Sequence, residues 1–359
     1  MITNLDIKGY KSIKEQKVVL KNINILIGGN GIGKSNFISA FTLMRSLYEK
    51  ELQAYVLKKG GANALLYMGK KQTDEMTIDL AFQNGGYENR YIVNFQEAQD
   101  GLIIKKTQTA FWYNGEWKER TYDVNVKEAT IKDATYSQAW YVKELMQQFM
   151  VYHFHDAGDK SPMKGFSPLH DNDALKYDGS NIAAYLYFLQ EKYPKHFKRI
   201  EMSVKEVSPF FESFSLKPNR LNEETIRLEW KQKGAEDTYF NAYQLSDGTL
   251  RFICLATLLL QPTPPKTIII DEPELGLHPQ AINKLAALIK KTVDKSQIII
   301  STQSVNLVDN FEPDNIIVVD MKEGASDFHR LDGKELEMWL DDYSLGEVWE
   351  KNVIGGQPF

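Results

Sequence analysis

Residues Ile27–Phe37 read IGGNGIGKSNF, and the five residues before them are NINIL. An apolar strand thus runs into a glycine-rich turn, Gly28–Ser35, of the form G-x-x-x-x-G-K-S, and an apolar-periodic segment follows it. The order strand, loop, helix is what this spacing needs to act as an anion cradle. Glycines let backbone N–H groups turn inward without Cβ clashes, and the start of a helix adds positive potential. Asn30, Gly31, Ile32, Gly33 and Asn36 build the cradle, Lys34 is placed for the β- and γ-phosphates of a nucleoside triphosphate, and the Ser35 hydroxyl for Mg²⁺.

Two more stretches belong with the first. Thr267–Glu272, TIIIDE, is an apolar strand ending in two acids. At the carboxyl end of a parallel strand beside the cradle, Asp271 is suited to Mg²⁺ and Glu272 to polarising the attacking water. The segment continues as DEPELGLHP, and after the next helical pattern QIIISTQS ends a second buried strand near Gln303. The third stretch, LSDGTLRFICLATLLL from Leu245, sets Ser246, Asp247 and Gly248 at the start of a strongly apolar helix, a second helix N-terminus able to meet an anion.

Walker-A cradle, LSDGT, IIIDEPELGLHP and a strand ending in STQS, in that order, resemble the ABC-type ATPase head of the SMC, RecF and OLD families. The likeness is strongest to stand-alone bacterial AAA-family ATPases of the OLD/RecF-like group. LDIKGYKSI resembles that group's opening strand, GGANALLYMG its post-helix loop, YHFHDAG its central loop, DGSNIAAYL its lobe helix, and LDDYSLGEVWEKNVIGGQP its C-terminal tail. The resemblance implies ATP and Mg²⁺ as ligands and an ATP-linked homodimer. In it, Ser246, Asp247 and Gly248 of one copy face the nucleotide held on Lys34 of the other, an isologous arrangement. It further implies a separate effector or nuclease chain as partner, in anti-phage defence, because the 55 residues after Ser304 are too few for a nuclease domain together with the last strands and tail. A RecF-like ATPase binding DNA, or an ATP-dependent scaffold with little turnover, are the alternatives.

The chain departs from the family pattern in two places. Gln303 stands where many relatives carry a histidine; an amide orients water by hydrogen bonding but takes no proton at neutral pH, which points to slow turnover. No glutamine plainly fills the loop that touches Mg²⁺ in relatives: Gln147 and Gln148 lie before the central loop, and His155 or Asp156 are other choices. His153, His155 and the HDND run at His170–Asp173 are too loosely spaced to specify a metal site of their own. Lys11 faces either nucleotide or DNA by resemblance, or solvent.

Bulk properties fit this reading. The 359 residues are 43% hydrophobic, with mean hydropathy −0.40, no run long enough to span a bilayer, and one cysteine, Cys254, which suits a small buried helix position and a reducing cytoplasm. Net charge is −5, no signature of a nucleic-acid binder, although residues 1–60 carry a local balance of +6 and residues 332–350 one of −6. The expected fold is α/β: a P-loop NTPase of the ABC-ATPase head type, with helices on both faces of a mixed or parallel sheet, an N-terminal antiparallel β lobe and an inserted helical lobe. Residues 1–150 hold the cradle and the β segment, 151–243 the inserted lobe, and 244–359 the signature, acidic strand, switch segment and tail. One continuous helix is expected over Ser35–Lys59, turns at Asn84–Gly86 and Asn114–Gly115, and a helix capped by Ser180.

Overall fold

The computed structural model describes residues 1–84, 86–99 and 101–357, with the side chains of Glu236 and Asp237 outside the description. Gly85 of the expected Asn84–Gly86 turn and Pro358 at the end of the tail therefore lie outside the described residues. β1 (Ile2–Tyr10) and β2 (Ile13–Val19) form a hairpin turned at Lys11, whose φ is 49°. β3 (Ile23–Ile27) leads through the glycine turn into α1 (Lys34–Tyr48), followed by α2 (Leu52–Lys58) and the single turn α3 (Ala62–Leu65). The helix expected to be continuous is thus broken. Lys50 takes φ 63° at the C-terminal end of α1, and the carboxylate of Glu128 accepts the N–H groups of Leu52 and Gln53 to restart it as α2.

Strands β4 (Glu75–Asn84), β5 (Tyr87–Ala98), β6 (Gly101–Tyr113) and β7 (Glu116–Val126) extend the hairpin into a six-stranded antiparallel sheet, order β2-β1-β4-β5-β6-β7; β5 alternates buried and part-buried residues, Ile78–Phe82 of β4 are all buried, and the edge strand β7 is mostly exposed. α4 (Ser137–Gln148) leads to β8 (Phe149–Tyr152) and the central loop. Beyond come β9 (Ser167–Pro168), α5 (Ile182–Lys192), α6 (Pro194–Val207), β10 (Phe211–Phe214), β11 (Thr225–Ile226), β12 (Glu229–Gln232) and β13 (Ala235–Asn241). Ser180 does not cap α5. Asn181 holds the N-cap position, and its side chain braces the preceding loop instead, accepting from Lys176 N–H at 2.9 Å and donating to the carbonyls of Asp171 and Ala174.

The last third supplies α7 (Asp247–Leu260), β14 (Thr267–Asp271), α8 (Pro279–Thr292), β15 (Gln297–Thr302), α9 (Val305–Val308), β16 (Ile316–Lys322), β17 (Ala325–Arg330), α10 (Glu337–Leu340) and α11 (Leu345–Glu350). The second six-stranded sheet runs β17-β16-β3-β15-β14-β8, parallel except for β17. Its middle strands are largely apolar because both faces are covered, and the buried Asn24 and Gln297 among them bond to backbone carbonyls. Ile25 and Ile27 pack on one side with α7 and α8, while Leu26 packs on the other with α1 and the antiparallel sheet. Cys254 is buried in α7, as its composition suggested. Among the described residues no helix is long and apolar enough to cross a membrane. The parallel sheet aligns the carboxyl ends of β3, β14 and β15, and the site forms there.

Candidate functional site

Gly33 is the N-cap of α1 in a left-handed conformation, φ 118°, with no side-chain cap. The first N–H groups of α1 are thus left for whatever occupies the turn. A Cβ at Gly33 would lie 2.1 Å from Ser326 Oγ, and one at Gly28 would lie 2.7 Å from Val319 O, so both positions admit only glycine without rearrangement. The turn is braced from far along the chain. Ser326 Oγ donates to Ile32 O at 2.6 Å, and Ser12 Oγ accepts from Asn36 Nδ2 at 2.7 Å. Lys34 is buried and donates to Gly28 O and Gly29 O at 2.5 and 2.6 Å. Burial pulls the Lys34 pKa down, opposed by Glu272, Asp271 and Glu274. An ammonium folded onto its own loop beside three carboxylates is one that an anion can draw out.

The pocket at this point is lined by Gly29, Asn30, Gly31, Gly33, Lys34, Ser35, Asn36, Glu272 and Gln303. Ile32, expected among the cradle residues, turns its side chain to the core and contributes its carbonyl to the Ser326 brace. Asp271, the last residue of β14, pairs with Ser301 across to β15, and the Ser301 hydroxyl donates to its carboxylate. Glu272 follows with φ 42°, a left-handed conformation that costs a non-glycine residue about 1–3 kcal/mol and re-aims its side chain. Gln303 Nε2 donates to the Glu272 carboxylate.

The Glu272 N–H donates to Ser301 O at 2.9 Å, which fixes the start of this turn against the tip of β15. Glu274 reaches back to the same strand end, accepting from Thr302 Oγ1 at 2.5 Å and from Gln303 N–H at 3.1 Å. Its other oxygen, Oε2, is buried with no partner, and burial holds its pKa above the usual glutamate value. Asp271 does not line the pocket itself but ends the strand that enters it at Glu272, and its carboxylate and the Ser35 hydroxyl are the kind of hard oxygen donors that suit Mg²⁺.

The signature turn lies elsewhere. Ser246 caps α7, accepting from Thr249 N–H at 3.2 Å, and neither it nor Asp247 nor Gly248 lines the pocket around Lys34. Asp247 is paired at 3.3 Å with Lys164, a buried lysine of the central loop. Gly248 packs on the loop after Glu272, where a Cβ would meet Gly276 O at 2.2 Å.

Gln147 donates to Tyr48 Oη and Gln148 to Glu144, so neither reaches the pocket. His155 does approach the acidic strand, but at the strand's backbone: His155 Nε2 lies 2.6 Å from Asp271 O. His153 is 6.3 Å from His155 between ring centroids, burial lowers its pKa, and among the described residues no metal-binding cluster forms. Lys11 donates to Ser39 Oγ at 2.8 Å and is held down to about 8 by burial. It lines a cavity of about 580 Å³ with Lys59, Tyr67 and Met68, and Asn36 lines both this cavity and the pocket around Lys34. Five basic residues of the N-terminal stretch, Lys8, Lys17, Lys21, Arg45 and Lys50, each meet a carboxylate, but only Lys21 and Lys50 meet acids from outside it, Asp314 and Asp133, so most of its local positive balance remains. Ser326 and Lys164 have no motif to mark them, Ser12 and Arg251 lie in motif stretches that do not single them out, and only the contacts of all four reveal a role.

A family model described as "AAA domain, putative AbiEii toxin, Type IV TA system" matches residues 23–309. Among solved structures, the SMC head bound to the C-winged helix domain of ScpA is similar, with TM-score 0.62 and 18% identity over 93% of this chain and 99% of that one. The Smc head domain from Pyrococcus furiosus, with an extended coiled coil and bound to the C-terminal domain of ScpA, gives 0.57 and 16% over 95% and 98%. These likenesses show the fold. A curated relative, UvrABC system protein A of Clostridium perfringens, is 31% identical over 128 residues, 35% of this chain and 12% of that protein's length.

Proposed function

The chain belongs to this AAA-domain family, with the fold of an SMC-type ATPase head, and on that premise we propose that it binds and hydrolyses ATP as a head-to-tail dimer. One observation carries the reading. Lys34, Ser35, Glu272 and Gln303 meet in a single pocket, while Ser246–Gly248, at the start of α7, stand outside it. A signature turn that serves the nucleotide must then serve one held by another copy.

In this reading Lys34 leaves its loop carbonyls for the β- and γ-phosphates, and the uncapped N-terminus of α1 receives the phosphate oxygens. The base end of the nucleotide points to the neighbouring cavity, reached past Asn36 and lined by Lys11 and Tyr67. Ser35 and Asp271 would hold Mg²⁺, which when bound supplies charge neutralisation at the phosphates. Glu272 takes the proton of the attacking water, and Gln303, already bonded to Glu272, orients it. Gln303 is an amide where many relatives carry a histidine and adds no second proton acceptor beside Glu272, so turnover is slow until a partner or trigger completes the site.

The product of the cycle is a change of shape that controls a separate effector or nuclease chain, in bacterial anti-phage defence. Two likenesses support a partner: the similar SMC heads are bound to domains of ScpA, and the matching family model is that of a putative AbiEii toxin of a Type IV TA system. The test is phosphate release from ATP by the purified chain with and without Mg²⁺, compared with Gln303→Ala. Slow, Mg²⁺-dependent release that falls further in the variant supports the reading. Rapid release indifferent to Gln303, or none together with no ATP binding, contradicts it.

A further inference from the structure

Arg251, one turn into α7, places its guanidinium on three backbone carbonyls from two separate loops. Nε donates to Phe154 O at 3.2 Å, one terminal nitrogen to His155 O at 2.6 Å, and the other to Leu275 O at 2.8 Å. Among the described residues no carboxylate forms an ion pair with it. The charge therefore serves carbonyl dipoles, which a rigid planar fork can span and a lysine ammonium cannot.

The surroundings are shaped to keep this contact. A Cβ at Gly276 would come 2.7 Å from the guanidinium, and a Cβ at Gly248 would come 2.2 Å from Gly276 O. The start of α7 thus touches the loop carrying Glu272 and Glu274 backbone to backbone. On the other side, His155, whose carbonyl Arg251 holds, contacts Asp271 O through its imidazole. The contacts close a ring: α7, the central loop, Asp271, the Glu272–Leu277 loop, and α7 again.

We infer that Arg251 is the positioning residue that couples the signature end of α7 to the loop bearing Glu272, so that a displacement at Ser246–Gly248 moves the general base. This rests on the ATPase reading for its consequence and on the hydrogen bonds alone for its mechanics. Arg251 does not line the pocket around Lys34.

The experiment compares Arg251→Ala and Arg251→Lys with the unaltered full chain. Affinity for a non-hydrolysable ATP analogue is expected to stay within about twofold, while kcat falls about tenfold or more in both variants. Ser246→Asp, which keeps a capping side chain but adds charge at the signature, is expected to lower kcat in the unaltered chain. In Arg251→Ala the same change should cost much less, because the two ends are already disconnected. Full kcat in Arg251→Lys, or effects of the two substitutions that simply multiply, would overturn the inference. Hydrogen exchange reads the coupling without turnover: in Arg251→Ala the amides of residues 272–277 and 154–157 should exchange about tenfold faster, and those of β15 should not. Unchanged exchange there overturns the coupling whatever the ATPase result. Altered exchange in a chain with no turnover leaves the coupling standing and removes the ATPase reading.

Discussion

Two glycine-containing helix starts, those of α1 and α7, differ in what they leave open. At Gly33 the first N–H groups of α1 have no side-chain cap, a buried lysine folds over the loop, and carboxylates from the end of β14 and the loop after it face it. At Gly248 the helix is already capped by Ser246, the nearby carboxylate is already paired with Lys164, and the glycine is filled by another loop's backbone. The first is a pocket whose lining comes from one chain. The second is a finished surface, ready to meet something but not to enclose it. Half a site on a finished surface is what an ATP-linked dimer needs.

Substitutions can break this comparison at either end. The largest effect is expected at Glu272→Gln, which removes the proposed general base and should lower turnover by about 10²–10⁴-fold with nucleotide affinity retained, measured by phosphate release alongside equilibrium binding. Equal loss of both would mean Glu272 holds the nucleotide rather than the water. Next, Lys34→Ala should weaken ATP binding about 100-fold, read by titration with a fluorescent analogue, since a charge-assisted contact to phosphate disappears. Ser246→Asp should leave binding by the single chain intact and weaken ATP-dependent association about tenfold. An equal loss of single-chain binding would place the signature inside the same pocket and end the distinction.

The smallest effect concerns stability. Glu274 has a buried oxygen without a partner and a pKa raised by burial, so folding favours its neutral form. Its charged form therefore costs the folded state most above the raised value, and nothing once the pH falls below the ordinary glutamate range. Glu274→Gln keeps an acceptor for Thr302 and should stabilise the chain by about 1 kcal/mol near pH 8, an advantage that fades as the pH is lowered toward about 4. Thermal melts across that range check it, and a gain that grows in acid would reverse the assignment.

The cradle, the acidic strand and the parallel sheet were legible because each is local: a glycine spacing, an apolar run, a period. Long-range braces were not. Ser326 reaches Ile32 across 294 positions, and Arg251 reaches Phe154 across 97, by side-chain-to-backbone bonds that leave no periodic trace. The break after α1 escaped for a related reason. Apolar spacing continues through Lys50, and the restart depends on Glu128, a residue from beyond β7. Ser180 looked like a cap by its type, but the asparagine beside it holds the position while bracing the loop. Gln147 and Gln148 failed as pocket residues because α4 turns them toward Tyr48 and Glu144.

The central claim is that ATP joins two copies through the surface at Ser246–Gly248. The most direct measurement is the solution mass of the Glu272→Gln chain with ATP and Mg²⁺, with ADP, and without nucleotide. The account predicts a dimer with ATP and Mg²⁺ alone, lost again in the Glu272→Gln, Ser246→Asp double variant. A monomer under all three conditions, while the chain demonstrably binds ATP, would contradict it.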